Sequence, residues 1–207
     1  MQTEIMNLFA IPVTRSRLGR GFTPEELEFF RIQLQQPVGS ITNFSSRNKN
    51  VLAAPEMQSI AAALQESINQ HFKTVFNTSN KVSLKVTQSW LTLTRKGESH
   101  HSHVHPNSVL SGALYINTAE EDGINFYRDQ RANWFELLRE QETYHNAYRY
   151  FIPVSIGDIL LFPSDLDHGV REVVDDIERV SLSFNTFFDG ELGRDEFANA
   201  LKISVQP

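Results

Sequence analysis

The chain has 207 residues, of which 40% are hydrophobic and 11% aromatic, enough to bury one substantial core and short for two. Its formal net charge of −6 disfavours nucleic acid as the main partner, because affinity for phosphate backbones needs clustered Lys and Arg. Cysteine is absent, so disulfides and thiolate metal sites are excluded, and a transition-metal site can draw only on His, Asp and Glu.

The opening "MQTEIMNLFAIPVTRSRLGR" lacks the basic start and unbroken apolar run of a secretory signal, and no stretch approaches the length of a membrane span. A soluble, cytoplasmic protein without a membrane partner is expected. Within this opening "NLFAIPV" reads as a short strand. "TPEELEFFRIQLQQ" then carries a helix start, with Thr23 as N-cap, Pro24 at the first helical position and two acids in the first turn. In "APEMQSIAAALQESINQHFKTVF" the residues Met57, Ile60, Ala61, Leu64, Ile68, Phe72 and Phe76 recur at helical spacing and predict a second helix with an apolar core face.

From Lys81 the period falls to two. "VSLKVTQSWLTLTR" alternates, and "SVLSGALYIN", "GINFY", "GDILLF" and "RVSLSFNTFF" are further strand-like runs parted by Gly, Pro, Asn and Asp. Helices followed by many short strands without helical crossovers predict an α+β chain with an antiparallel sandwich or jelly roll. The boundaries are one domain over 1–207, with a helical part over about 22–77, a strand core over about 81–189 and an insert over about 129–150. That insert is aromatic-rich, holds a short helix around "ANWFELLRE", and is long enough to serve as a lid or substrate-binding loop.

The stretch "RKGESHHSHVHPNS" places His100, His101, His103 and His105 within six residues. On an extended strand His103 and His105 point the same way and His101 shares their parity, whereas His100 does not. Two imidazoles leave a coordination sphere incomplete, and the third candidate is His168, which follows the apolar run "GDILLF" and a short polar turn. Arg179 opens the next alternating strand, with Ser181 and Asn185 on its side of the strand. An Arg turned into a sheet core needs an anion, because guanidinium stays charged. That anion can be a neighbouring Asp or Glu, or a bound ligand.

At these residues the sequence resembles the 2-oxoglutarate- and Fe(II)-dependent oxygenases, in particular their small bacterial and phage branch, with a more distant likeness to prolyl 4-hydroxylase-type domains. The resemblance runs from "NLFAIPV" to "LSFNTFF" and is most specific in "HVHPNSVLSGALYI" and "GDILLFPSDLDHGV…ERVSLSFN". In hydroxylase-type domains a Gly stands six residues before the first iron-binding His, an interval that Gly97 and His103 reproduce. The resemblance implies a double-stranded β-helix, a cupin-like jelly roll with N-terminal helices packed on one sheet. It implies Fe(II), 2-oxoglutarate as cosubstrate and O2. His103 matches the first ligand of a His-x-Asp motif, His168 the distal His, Arg179 the basic residue on the far carboxylate of 2-oxoglutarate with Ser181 beside it, and Tyr115 a strand Tyr that contacts the cosubstrate.

One position departs from the pattern: His105 stands where the family has Asp or Glu. Three histidines can present the facial arrangement of two His and one carboxylate, but they donate no negative charge. Two other readings stay open, a two-His site in which His105 does not ligate, and a carboxylate supplied by Glu98 or Asp167. Asn185 is expected at the cosubstrate, and Trp90, Asn107, Arg128 and Trp134 at the substrate entrance. The function implied is a dioxygenase hydroxylating a C–H bond of a small-molecule or peptidyl substrate, with release of succinate and CO2. The alternatives are a non-catalytic jelly-roll module with a drifted metal site, and a three-His metal dioxygenase that does not use 2-oxoglutarate. A homodimer, and residence in a host cytoplasm if phage-encoded, are compatible with this reading.

Overall fold

A computed structural model describes residues 3–6, 8–128 and 138–205. Helix α1 spans Pro24–Gln33 and begins as its sequence dictates: Thr23 Oγ1 accepts from Glu26 N at 3.2 Å while Thr23 N donates back to Glu26 Oε2 at 2.8 Å. Glu26 is buried, and Arg20 neutralises it through bonds of 2.6 and 2.8 Å. Helix α2, Gln58–Val75, turns Ile60, Leu64 and Ile68 inward, all fully buried. None of the described helices is long and apolar enough to cross a membrane.

Twelve strands are formed by the described residues, three of them before α2: β1 Thr14–Arg17, β2 Val38–Gly39, β3 Phe44–Ser45, β4 Val82–Thr94, β5 His100–His103, β6 Leu110–Asn117, β7 Gly123–Tyr127, β8 Arg149–Pro153, β9 Asp158–Pro163, β10 His168–Val170, β11 Arg179–Leu192 and β12 Leu201–Ile203. They form a large sheet in the order β1-β9-β6-β11-β4-β3-β2, with β12 added to β11, and a small sheet in the order β5-β10-β7-β8. Every pairing within these two sheets is antiparallel. Ala113, Tyr115, Leu160 and Phe162 of the large sheet pack against Ile124 and Phe126 of the small one, so the sheets face each other as a double-stranded β-helix.

The two faces of the large sheet do different work. Val180, Leu182 and Phe184 of β11 join Leu91, Leu93 and Leu114 in a core closed by α1 and α2. The alternate residues, Arg179, Ser181, Ser183 and Asn185, face the space between the sheets, beside Thr94, Thr92, Trp90 and Gln88 of β4. Covering the outer face with helices leaves the inner face free to be polar.

Some expectations need correction. The described residues of "NLFAIPV", 8–13, form no strand; pairing starts at Thr14, because Phe9 sits at φ 59, outside the extended region, and Pro12 has no N–H to donate. The last two residues of the expected insert, Arg149 and Tyr150, already belong to β8, a strand the periodicity did not reveal. The helix expected around "ANWFELLRE" falls mostly on 129–137, outside the described residues.

Candidate active site

The histidine-rich strand is shaped by its neighbour β10. His168 pairs with His103, and Val170 pairs with His100, so two steps on β10 answer three on β5. The extra residue is a β-bulge, and it reverses the parity expected for His100. Gly169 makes room for it: a Cβ there would lie 2.9 Å from the carbonyl oxygen of His100. His100 consequently stacks on His103, with ring centroids 4.4 Å apart and planes inclined by 25°.

His105 lies beyond the end of β5, its N–H held by the Ser164 carbonyl at 2.8 Å, so it reaches the site through a turn rather than by strand parity. The structure nonetheless brings His103, His105 and His168 together, their donor nitrogens within 4.8 Å of one another. His105 Nε2 and His168 Nε2 are 3.2 Å apart. Two imidazoles at right angles on one ion, with bonds of about 2.1 Å, would place these atoms about 3.0 Å apart, so the donor set fits a metal.

Tautomers are set by the backbone. His103 Nδ1 faces the His101 carbonyl at 2.8 Å and His168 Nδ1 faces that of Leu166 at 2.9 Å. A carbonyl only accepts, so both Nδ1 atoms carry the proton and both Nε2 lone pairs are left to coordinate. Burial keeps the rings neutral. It lowers His103, and with the neighbouring imidazoles it pushes His105 down to about 4 and His168 to about 3. For His100 burial is again the largest cause, followed by the charges of His103, His168, His101 and Arg179, and the ring is pushed down to about 2.

These shifts make a stability prediction for the metal-free protein. The folded pKa values lie below the unfolded value of about 6.5, so the unfolded chain binds more protons between them. Stability is therefore complete above about pH 6.5 and falls as pH drops toward 4, by up to about 1.4 kcal/mol per pH unit for each such imidazole. Thermal unfolding of metal-free protein across that window checks this; a flat profile would contradict it.

Neither alternative carboxylate joins the histidines. Glu98 accepts from the Arg95 N–H at 2.8 Å, and Asp167 is bonded by the Ser102 hydroxyl. Among the described residues, both side-chain groups spaced for an ion consist of histidine alone.

Arg179 faces inward and is 2% exposed. Its Nε donates to both oxygens of Asp122, at 2.9 and 2.7 Å, and its guanidinium lies 5.4 Å from the ring centre of Tyr115. The Tyr115 phenol lies near enough to take a further hydrogen bond from the guanidinium, which has more N–H groups than these two partners use. Opposite Arg179 in register, the buried Thr94 hydroxyl has no partner among the described residues. A guanidinium fork and an orphaned hydroxyl side by side fit an anion. Tyr115 is fully buried, and burial raises its phenol well above the ordinary value. Ser181 is buried between Thr92 and Tyr115.

The remaining expected residues are spread out. Asn185 is buried and accepts from the Ser111 hydroxyl at 2.9 Å, within a chain of hydroxyls that includes Ser164 and Ser108. Trp90 lies beside the histidines, its ring centroid 5.9 Å from that of His105. Asn107 is exposed in a turn at φ 57, and Arg128 is exposed at the foot of the insert, donating to the His145 carbonyl. Trp134 lies outside the described residues. Phe162 and Phe126 form an apolar wall, with centroids 4.5 and 6.2 Å from that of His168. Sequence reasoning missed Asp122, Thr94 and His100. For Thr94 the alternation of "TLTR" carried a usable signal; for the other two, pairing and bulge geometry had to be seen.

Residues 88–185, which contain the three histidines and Arg179, match the family described as "Putative 2OG-Fe(II) oxygenase". No curated protein matches the sequence. The fold is similar to that of a 2OG-Fe(II) oxygenase family oxidoreductase from Burkholderia pseudomallei, with TM-score 0.56 and 13% identity over 84% of this chain and 83% of that one. It is also similar to HygX from Streptomyces hygroscopicus with nickel, 2-oxoglutarate and hygromycin B bound, with TM-score 0.55 and 17% identity over 85% and 82%. A prolyl-4-hydroxylase from Pseudomonas putida gives TM-score 0.52 and 13% identity over 85% and 93%. Over residues 88–185, the stretch that carries the site, the chain is thus similar to the 2OG-Fe(II) oxygenase family, and its jelly roll is similar to those of the solved structures named above.

Proposed function

We propose that the protein is an Fe(II)- and 2-oxoglutarate-dependent dioxygenase that uses O2 to hydroxylate a C–H bond of a small-molecule or peptidyl substrate, with release of succinate and CO2. The observation that carries this reading is the pairing of a neutral three-nitrogen site with a buried guanidinium that has more N–H groups than Asp122 and Tyr115 use. His103, His105 and His168 would hold the iron. When bound, Fe(II) supplies the redox chemistry that couples O2 to oxidation of the keto acid and the substrate.

The chain's own contribution is placement and exclusion. Arg179 grips the far carboxylate of 2-oxoglutarate through its remaining N–H groups, and Asp122 fixes the plane of the guanidinium from behind. The hydroxyls of Thr94, Ser181 and Tyr115 add donors around the same carboxylate. Phe126 and Phe162 keep water from the His168 side of the site. Trp90 and the foot of the insert at Arg128 stand where a substrate would enter. The solved structures of this fold include HygX with hygromycin B bound and a prolyl-4-hydroxylase, which is consistent with either substrate class.

One observation favours a second reading, a three-His metal dioxygenase that does not use 2-oxoglutarate: Asp122 already neutralises Arg179. Anaerobic addition of Fe(II) and then 2-oxoglutarate to metal-free protein separates the two. The first reading expects a visible metal-to-ligand charge-transfer band and, on admission of air, succinate. Iron binding without a band and without succinate would overturn it.

A further inference from the structure

The bulge in β5 places a fourth imidazole at the site, and neither the iron set nor the Arg179 clamp uses it. His100 is half-buried and lies flat against His103, within electrostatic reach of His168 and Arg179. Its ring nitrogens have no hydrogen-bond partner among the described residues, and beside it His101 leaves a buried Nδ1 without one. In this His100 differs from His103 and His168, whose Nδ1 atoms are both tied to carbonyls. The cost of bringing it there is visible in the fold: an extra residue in β5, opposed by a glycine that no larger residue could replace without meeting the His100 carbonyl. A ring recruited in this way with its polar atoms unspent points to a ligand.

We propose that His100 is a cosubstrate-binding residue that donates a ring N–H to a carboxylate of 2-oxoglutarate as the keto acid spans from the metal to Arg179. This rests on the function proposed above and assigns one more contact within it. An imidazole suits the task, because even its uncharged form carries one ring N–H donor. Stacking on His103 holds the ring plane, so the N–H is aimed without ordering a flexible side chain on binding.

The competing role is metal ligation, since the donor atoms of His100, His101 and His103 also lie within 4.8 Å of one another. Binding measurements separate the two. The proteins are wild type, His100→Phe, which keeps a flat ring against His103 and removes both nitrogens, and His100→Gln, which returns an N–H on a slimmer side chain. Fe(II) affinity and then 2-oxoglutarate affinity are measured anaerobically by calorimetry and by the charge-transfer band, after circular dichroism has confirmed folding.

The expected result is a 2-oxoglutarate Kd raised by about 10- to 100-fold in His100→Phe, the scale of one hydrogen bond to a charged group. Fe(II) affinity should stay unchanged, and His100→Gln should recover part of the loss. An unchanged 2-oxoglutarate Kd in His100→Phe overturns the proposal, as does a loss of Fe(II) affinity, which would assign His100 to the second histidine group. If His100→Phe does not fold, His100→Leu, which also removes both nitrogens, takes its place, and an unchanged 2-oxoglutarate Kd in that variant overturns the proposal. Wild-type protein that binds Fe(II) but no 2-oxoglutarate refutes the dioxygenase reading itself, a result distinct from wild type and variants binding equally well.

Discussion

Replacing Arg179 by leucine is expected to destabilise the protein by about 3–5 kcal/mol and to weaken 2-oxoglutarate binding at least about 100-fold. The two losses have different origins. The first arises because Asp122, whose side chain is 3% exposed, is left as an uncompensated buried charge once its partner is gone. The second arises because the fork facing the cosubstrate disappears. The double variant Arg179→Leu/Asp122→Leu tells them apart. Substituting both partners of a buried pair by apolar groups is close to neutral in stability, so chemical denaturation should show recovery while calorimetry still shows no cosubstrate binding. Recovery of both would reduce Arg179 to a structural ion pair and remove the anchor on which the dioxygenase reading depends.

Replacing His105 by alanine is expected to lower metal affinity at least about 100-fold, the upper scale of losing even an outer partner of a metal ligand. Alanine opens a gap between His103 and His168 that only water can fill. His105→Asp should behave differently, because a carboxylate is an adequate ligand for Fe(II) and restores the two-His, one-acid set. It also lowers the net positive charge at the ion by one, so it should keep the metal yet hold dianionic 2-oxoglutarate less tightly than wild type. Metal titration of both variants, followed by cosubstrate titration of His105→Asp, measures each effect. Full metal affinity in His105→Ala would move the ligand role to another residue, with His100 and His101 the next candidates.

Much of the framework could be read from local signals. The Thr23 cap, the α2 stripe and the alternation of β4 and β11 each follow from a few neighbouring residues, and the structure keeps them. His103 and His168 were legible as a pair because each sits at a strand next to an unmistakable apolar run or turn. His105 meets His103 and His168, but not for the reason strand parity gives: the chain leaves β5 at His103 and a turn delivers the ring. His100 shows the opposite failure, since one inserted residue against β10 inverts a parity argument that was sound for a regular strand.

Arg179 marks the limit of reading one position at a time. A buried salt bridge and a ligand anchor are not exclusive explanations, since Nε serves Asp122 and the guanidinium has further N–H groups beyond those that Asp122 and Tyr115 use. Asp122 lies 57 residues away at the edge of a strand, and nothing in "EEDGINF" distinguishes it from its acidic neighbours until the sheets are assembled. Short strands with weak patterns, such as β8 and β10, were likewise invisible because pairing partners rather than composition define them.

The small sheet ends at β5, an edge strand attached through a ladder broken by its own bulge. An ion shared by His105 and His168, 63 positions apart in the chain, would clasp that loose border to the interior. Assembly therefore comes before loading, because no partly folded chain presents the complete claw. The same clasp makes fraying of this border and escape of the ion a single event, so that depletion of iron would leave the histidine strand as the first part of the jelly roll to peel away.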